Sequence, residues 1–262
     1  MADQNSSSNN RLLAVFGKGG TGKTAFISIT TRLLTELNNH KVLVIDADPS
    51  MNLSNVLGVK PSKTVGEVRE EIIKNIVKTT DEEKEEIAGM LDYMIMEALS
   101  EKGKFALLVM GRPEDVGCFC PVNTLLRDAI ETLSKNFDIT LIDGEAGIEQ
   151  INRQVMRVVD TPILLTDTSA RGIETAALIK SIVDKKKVIR CEGLNLVINR
   201  IRDNEESVKR FAQKTGLEPA GFIPEDPNIT DYDLVGKPLM DLPDDSPSVQ
   251  AVRGILGKLG LI

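Results

Sequence analysis

The sequence has little of what several classes of protein need. Its 262 residues include three cysteines, one histidine and no tryptophan, and so few cysteines argue against a disulfide framework. It has no apolar segment long enough for a signal peptide or a membrane span, so we expect a cytoplasmic protein without stable membrane insertion. The net charge is -7, and no lysine or arginine stripe offers the electrostatic footprint of a nucleic-acid-binding protein.

A glycine-rich loop is the most informative feature that is present. Residues 17–24 read Gly-Lys-Gly-Gly-Thr-Gly-Lys-Thr, between an apolar run at 12–16 and a helical pattern of apolar residues. This is the strand, loop and helix context of a phosphate-binding loop, in which backbone N–H groups converge on phosphate oxygens. We expect Lys23 to reach the β- and γ-phosphates and the Thr24 hydroxyl to bind Mg²⁺. The residues predicted to bind the nucleotide here are Gly17, Gly19, Gly20, Thr21, Gly22, Lys23, Thr24 and Ala25.

Short apolar runs alternate with helical patterns along the rest of the chain. This alternation predicts an α/β fold with a doubly wound, mostly parallel sheet. The length suits one domain over 11–262 after a polar, disordered tail over 1–10, with a helical insertion around 60–104. The apolar face of the last helix is expected to dock on this domain. The predicted strands cover 12–16, 42–45, 106–110, 139–142, 162–165 and 194–198.

Acidic residues follow two of the predicted strands. Asp46 and Asp48 come after the run 42–45, and Asp143 comes after the run 139–142, four residues before Gly147. The carboxyl ends of parallel strands meet at one edge of the sheet, beside the phosphate loop. Carboxylates there can hold Mg²⁺ through its waters or orient an attacking water.

Recognition of the base is predicted at the end of the run 194–198. The amide of Asn199 can pair with the N6/N7 edge of adenine. A guanine reader typically has aspartate three residues later, whereas this chain has Arg202, so ATP is favoured over GTP. Pro224 and Glu225 are candidates for backbone contacts to the other face of the base, although the same residues are equally typical of an ordinary turn.

Three motifs together resemble the MinD/Mrp class of deviant-Walker P-loop ATPases, the SIMIBI type. They are residues 18–24, Asp46-x-Asp48-Pro and Asp143-x-x-x-Gly147, and the resemblance covers nearly the whole chain. It implies a homodimer that hydrolyses ATP to ADP, in which Lys18 crosses the interface to the partner's nucleotide. It also implies that Asp48 polarises the attacking water and that Asp46 and Asp143 support Mg²⁺.

Two of the three cysteines lie close together, as Cys118-Phe-Cys120-Pro. An irregular loop can aim both sulfurs at one point, and a closed thiolate site takes four donors. The other strong donors, Cys191 and His40, precede strands and so lie at the opposite end of the sheet. A two-fold dimer would supply four sulfurs, which predicts a Ni²⁺ or Zn²⁺ ion shared between subunits. The alternative is a pair of buried thiols that act as small apolar side chains.

Within the class, this cysteine pair, the residues 121–127 and the Glu-Ala-Gly-Ile-Glu run after Asp143 most resemble the accessory ATPases of carbon monoxide dehydrogenase and acetyl-CoA synthase maturation. The resemblance implies a nickel-insertion factor with one of these enzymes as its client. One alternative is an ATP-dependent reductase like the nitrogenase iron protein, which needs a cysteine after Asp143 that the chain lacks before Thr168. The other is a positioning ATPase of the ParA or MinD type, which leaves Cys118 and Cys120 unexplained.

Overall fold

The fold is built on one mostly parallel sheet. The computed structural model describes residues 10–76, 90–111, 120–144, 155, 158–186, 193–202, 205–214, 216 and 218–262. Eight strands have the order β3-β4-β2-β5-β1-β6-β7-β8, and only the pairing of β3 with β4 is antiparallel. The strands are β1 Arg11–Phe16, β2 Val42–Asp46, β3 Ser100–Lys102, β4 Phe105–Val109, β5 Ile139–Asp143, β6 Thr161–Asp167, β7 Asn195–Ile201 and β8 Pro219–Pro224.

Helices cover both faces of this sheet. Strands β2, β4 and β5 are buried along their whole length, which explains why they read as continuous apolar runs and not as alternating patterns. The doubly wound α/β prediction is confirmed. The helices are α1 Lys23–Leu37, α2 Leu53–Leu57, α3 Val65–Ile76, α4 over 90–97, α5 Cys120–Ser134, α6 Ala170–Lys186, α7 Glu205–Lys214, α8 Pro227–Leu234 and α9 Pro247–Lys258.

Successive residues of the central strands belong to two different cores. In β1, Leu13 and Val15 pack with α1 and α9, whereas Ala14 and Phe16 pack with α3, α4, α5 and α6 on the other side. Such alternation follows from the period of two along a strand. The phosphate loop therefore follows β1 near the middle of the sheet. A layer of helices packs on each face of the sheet.

The stretch 60–104 differs from the helical prediction. Its described helices α3 and α4 do form, and Val68, Leu91 and Ile95 are buried in the core on one face of the sheet. The stretch ends, however, in the short edge strand β3, which pairs with β4. Three residues of strand are too few to show an alternating pattern.

Both ends of the described chain pack against the sheet. Asn10, which the sequence places in the tail, donates from Nδ2 to the Ser134 carbonyl oxygen at 2.6 Å and accepts from the Thr140 hydroxyl at 3.3 Å. Helix α9 docks as predicted, because its apolar face is buried against α1 and β8. Gly221 permits this docking, since a Cβ there would lie 2.3 Å from Ile255 Cγ1. None of the described helices is long and apolar enough to cross a membrane.

Candidate functional site

The phosphate loop connects the end of β1 to the start of α1. Two of its glycines are required by close approaches at positive φ. A Cβ on Gly17, at φ 152°, would lie 2.0 Å from the Leu165 carbonyl oxygen of β6, and one on Gly22, at φ 93°, would lie 2.3 Å from Asn199 Nδ2. Gly19 and Gly20 face open space, with nothing within 4 Å of a Cβ. The loop backbone thus packs against β6 and β7 on one side and is accessible to a ligand on the other.

The first turn of α1 supplies the donors that an anion needs. The N–H groups of Lys23, Thr24 and Ala25 belong to the first residues of the helix, where backbone N–H groups have no intrahelical acceptor. The Lys23 side chain is buried, and its ammonium donates to the Gly17 carbonyl oxygen at 3.1 Å. The dipole of α1, its N–H groups without an intrahelical acceptor and the Lys23 ammonium together form a binding site for a phosphate.

The two lysines of the loop lie in different surroundings. Lys23 is 7% exposed and is bonded within the loop, whereas Lys18 is exposed on the outer side of the loop. The Thr21 hydroxyl donates to the Lys18 carbonyl oxygen at 2.9 Å and so braces the backbone beneath it. The Lys23 ammonium therefore lies within the phosphate loop, whereas the Lys18 side chain is open to solvent.

A carboxylate oxygen without a partner lies beside the loop. Strands β2 and β5 are neighbours, in a register that sets Asp46 opposite Asp143. The Thr24 hydroxyl donates to Asp143 Oδ2 at 3.0 Å, while Asp143 Oδ1 is buried without a hydrogen-bond partner among the described residues. A buried oxygen of this kind needs an explanation. A hard oxygen ligand next to a hydroxyl and a phosphate loop fits Mg²⁺.

The raised pKa values of Asp143 and Asp46 agree with a cation site. Burial, and next the neighbouring charge of Asp46, raise the pKa of Asp143 to about 7. Burial likewise raises the pKa of Asp46 to about 6, against the opposing hydrogen bonds that Asp46 accepts from the N–H groups of Leu53 and Asp48. Two adjacent carboxylates are costly to charge in this place. A divalent cation would favour their charged forms.

Asp48 lies in the loop after β2, nearer to solvent than Asp46. Its Oδ1 accepts from the Ser50 N–H at 2.9 Å and from the Ser50 hydroxyl at 2.7 Å. These two bonds fix the orientation of a half-exposed carboxylate at the carboxyl end of the sheet. The structure thus brings Asp46, Asp48 and Asp143 to the same edge as the phosphate loop, as the sequence predicts.

Asn199 has a contact that sequence reasoning missed. Its Nδ2 donates to the Thr21 carbonyl oxygen at 2.8 Å, and its Oδ1 accepts from the Arg200 N–H at 2.8 Å. Arg200 has φ 59°, at an irregularity in the pairing of β7 with β8. Such bulges commonly re-aim a side chain near a functional site. Asn199 therefore ties β7 to the phosphate loop, and its reading of adenine stays a prediction.

Of the two predicted base-contacting residues, Glu225 is held by a neighbouring side chain. Glu225 forms a two-pronged ion pair with Arg202, with 2.9 Å between Nη2 and Oε1 and 2.6 Å between Nε and Oε2. The Glu225 N–H donates to the Ile201 carbonyl oxygen at 2.9 Å. Since Pro224 has no N–H, the backbone groups of this pair left for a base are carbonyls.

Asp226 fixes the same loop to the last helix. It is 5% exposed and accepts from the Ser248 N–H at 3.0 Å, from the Ser248 hydroxyl at 2.6 Å and from the Ser246 hydroxyl. Burial raises the pKa of this carboxyl, but the hydrogen bonds together hold it below its ordinary value. Asp226 also caps the start of α8, since its Oδ1 accepts from the Asn228 N–H at 3.0 Å, and the Asp-Pro pair at 226–227 is the sequence sign of this cap.

The remaining predicted site residues are not placed. Cys118 and Gly147 lie outside the described residues, as does Cys191. Cys120 is the first residue of α5, and its side chain also lies outside the description. His40 precedes β2 at the far end of the sheet, with Nδ1 3.9 Å from Asp138 Oδ2. Within the described part of the chain, no group of three or more His, Cys, Asp or Glu residues is arranged to hold a metal ion.

Comparison with known proteins decides the family. A family model described as the CobQ/CobB/MinD/ParA nucleotide binding domain matches residues 12–239. The chain belongs to this family. The CobQ/CobB/MinD/ParA family comprises deviant-Walker ATPases, and the eight-stranded sheet with its phosphate loop at the centre is the fold of MinD and ParA.

Relatives within the family carry several different names. The chain is 41% identical to an uncharacterized ATP-binding protein of Methanocaldococcus jannaschii over 95% of this chain and 98% of that one. It is 30% identical to the carbon monoxide dehydrogenase accessory protein CooC of Rhodospirillum rubrum, over 88% and 89%. The structure of MinD with Mg-ADP from Pyrococcus horikoshii is similar with a TM-score of 0.67 at 25% identity, over 95% and 96%. Binding of nucleotide and Mg²⁺ is thus expected of this fold.

Proposed function

We propose that this protein hydrolyses ATP to ADP and phosphate and uses the cycle as a switch. Water attacks the γ-phosphorus, a new P–O bond forms, and the bond to the β-γ bridging oxygen breaks as ADP leaves. Such a reaction depends on positioning and on charge neutralisation more than on covalent help. The single observation that carries the proposal is the unpartnered buried Oδ1 of Asp143 beside the Thr24 hydroxyl.

Each residue of the site has a role in this proposal. The N–H groups of the loop and the ammonium of Lys23 hold the phosphates, and Thr24, with Asp46 and Asp143, holds Mg²⁺ directly or through its waters. When bound, Mg²⁺ neutralises charge on the phosphate oxygens. Asp48 orients the attacking water, because its carboxylate lies at the mouth of the site and is fixed by Ser50.

Replacement of Asp48 tests the hydrolytic role. We expect Asp48→Asn to lower the rate of phosphate release by roughly 100-fold or more and to leave the affinity for ADP within about threefold, because the Asp48 carboxylate is bonded to Ser50 and not to the described residues of the phosphate loop. Ser50→Ala, which removes one of the two bonds to Asp48, should have a smaller effect in the same direction. Phosphate release at saturating ATP is the measurement. Unchanged turnover in Asp48→Asn would remove Asp48 from the mechanism.

We further propose that the switch serves metal insertion. Two subunits would share Ni²⁺ or Zn²⁺ through Cys118 and Cys120, in a homodimer closed by ATP and Lys18, and a carbon monoxide dehydrogenase or acetyl-CoA synthase would be the client. Support comes from the 30% identity to CooC over 88% of this chain and from the spacing of the cysteines. Thiolates bind zinc as well as nickel, so the cargo is defined here by its sulfur ligands.

Metal binding distinguishes this proposal from its main competitor. We expect wild type to bind one Ni²⁺ or Zn²⁺ per two chains, and Cys118→Ser with Cys120→Ser to lose this site while keeping ADP affinity. Cys191→Ser is the matched control and should bind metal like wild type. Equilibrium dialysis with elemental analysis gives the stoichiometry. Equal metal binding by the double variant would refute the shared thiolate site.

A positioning ATPase is the second candidate. The similarity to MinD of Pyrococcus furiosus, with a TM-score of 0.67 at 25% identity over 96% of this chain, favours it. Such a protein has no need of the thiolate pair. ATP hydrolysis without any metal bound through Cys118 and Cys120 would therefore support the second candidate over the first.

A further inference from the structure

Helix α2 directly follows the loop that carries Asp48. The loop covers residues 47–52, and the five residues of α2 come next, with Leu53 and Leu57 buried in the core that also contains α1. A helix of this length is not stable by itself. The contacts that neighbouring elements make with α2 therefore decide where the helix, and the loop in front of it, are placed.

One carboxylate holds both ends of the loop that carries Asp48. Asp46 Oδ1 accepts from the Asp48 N–H at 3.2 Å, and Asp46 Oδ2 accepts from the Leu53 N–H at 3.1 Å. Asn52 is the N-cap of α2, but its side chain makes no capping hydrogen bond among the described residues. Asp46 thus takes the role of the missing cap. The backbone of Asp48 and the start of α2 share one anchor.

The backbone between these two anchored positions is strained. Met51 has φ 52°, in the left-handed region that is unfavourable for a residue other than glycine. Its N–H donates to the Asp48 carbonyl oxygen at 3.0 Å, and its carbonyl oxygen accepts from the Ser54 hydroxyl at 3.2 Å. Such a conformation persists only where its surroundings hold it. Because Ser54 belongs to α2, the position of α2 is part of what holds it.

Two side chains from other elements hold the end of α2. The last carbonyl oxygens of a helix have no intrahelical donor. The Ser28 hydroxyl of α1 donates to the Val56 carbonyl oxygen at 3.2 Å. The Lys102 ammonium of β3 donates to the carbonyl oxygens of Leu57 at 3.1 Å and Gly58 at 3.2 Å. The end of α2 is therefore fixed to α1 and to the edge strand of the sheet.

These two donors reach α2 from different parts of the fold. Ser28 is buried and lies about one helical turn after Thr24 on α1, so it connects α2 to the helix that follows the phosphate loop. Lys102 comes from the edge of the sheet, and three strands lie between β3 and β1. Among the described residues, both side chains donate to α2 and not to the phosphate loop.

We propose that Ser28 and Lys102 are positioning residues for ATP hydrolysis, which act on Asp48 through α2. By fixing the end of α2 they fix its start, the strained backbone at Met51 and so the direction of the Asp48 carboxylate. The inference rests on the proposed function, in which this carboxylate orients the attacking water. Nucleotide binding is separate, since in that function the phosphates are held by the phosphate loop and Lys23.

Single replacements separate the rate of hydrolysis from nucleotide binding. We expect Lys102→Met and Ser28→Ala each to lower the rate of ATP cleavage roughly fivefold or more and to leave ADP affinity within about twofold, since each removes hydrogen bonds to α2 alone. Lys102→Arg should recover most of the rate, because a guanidinium can also donate to two carbonyl oxygens. Quenched-flow measurement of a single turnover, with protein in excess, gives the rate, and calorimetry gives the ADP affinity.

Two controls are matched to these variants. Lys104→Met removes an exposed ammonium from the turn between β3 and β4. Thr31→Val removes a buried hydroxyl of α1 that donates within its own helix, to the Ile27 carbonyl oxygen at 2.8 Å. Both controls should cleave ATP like wild type. A loss of rate in Lys104→Met as large as that in Lys102→Met would contradict the assignment of the effect to α2.

A double-mutant cycle tests whether Lys102 acts through Asp48. In an Asp48→Asn background, Lys102→Met should lower the rate of ATP cleavage by less than about twofold, because the carboxylate that Lys102 positions is absent. A purely structural effect would lower the rate by the same factor in both backgrounds and would overturn the inference. A fall in ADP affinity as large as the fall in rate would overturn it too.

Failure of the inference and failure of the proposed function give different results. If the inference alone is wrong, Asp48→Asn is slow, whereas Lys102→Met and Ser28→Ala cleave ATP at the wild-type rate. If the proposed function is wrong, Asp48→Asn cleaves ATP as fast as wild type, or wild type does not cleave it. Either of these last two results would overturn the inference together with the proposed function.

Discussion

Lys23→Ala is expected to lower the affinity for ATP and ADP by roughly 10- to 150-fold, because a charge-assisted hydrogen bond contributes about 1.5–3 kcal/mol. The Lys23 ammonium is already held inside the loop by the Gly17 carbonyl oxygen at 3.1 Å. It can exchange this acceptor for a phosphate oxygen with little rearrangement. Isothermal titration calorimetry with ADP measures the loss without the complication of turnover.

The second lysine of the loop is the matched control. Lys18 is exposed, so Lys18→Ala should leave ADP affinity within about threefold of wild type. In the proposed homodimer the same variant should lose the ATP-dependent dimer in sedimentation velocity. If Lys18→Ala and Lys23→Ala weakened ADP binding equally, the two lysines would not have the separate roles that their surroundings indicate.

Asp143→Asn should change how stability depends on pH. The folded pKa of Asp143 is about 7, above its ordinary 3.8, so the folded protein holds this proton more tightly than the unfolded chain does. The contribution of the protonated Asp143 carboxyl to the free energy of unfolding is therefore complete below pH 3.8 and is lost as pH rises through about 7. A shift of this size corresponds to a contribution on the order of 4 kcal/mol. At pH 8 without nucleotide, we expect Asp143→Asn to be more stable than wild type by up to this amount.

Urea denaturation between pH 5 and pH 8 measures this effect. Wild type should lose stability across the range, and Asp143→Asn should show a shallower slope. With Mg²⁺ and ADP present the order should reverse, because the cation favours the charged carboxylate and the amide cannot replace it. A wild-type slope no steeper than that of Asp143→Asn would mean that this carboxylate is not costly to charge.

Features that depend on local sequence could be predicted. The phosphate loop was recognisable because glycines are needed at fixed spacings between a strand and a helix. Strands such as β2 and β5 were recognisable because burial on both faces gives continuous apolar runs. The positions of Asp46, Asp48 and Asp143 at one edge then followed from the parallel sheet.

Features that depend on contacts between distant segments could not be predicted. Strand β8 contains Pro219 and Gly221, which weaken its pattern, and Gly221 is explained only by Ile255 of the docked α9. The bond from Asn199 to Thr21 joins residues 178 positions apart. The unpartnered oxygen of Asp143 is likewise a property of packing, since sequence shows the residue and not its burial.

A crystal structure with Mg²⁺ and ADP is the measurement that tests the central claim most directly. The account predicts an octahedral Mg²⁺ at about 2.0–2.1 Å from the Thr24 hydroxyl oxygen, with Asp143 Oδ1 bonded to the ion or to one of its waters. An ion placed elsewhere, with Asp143 Oδ1 still without a partner, would contradict the assignment of this carboxylate to the Mg²⁺ site.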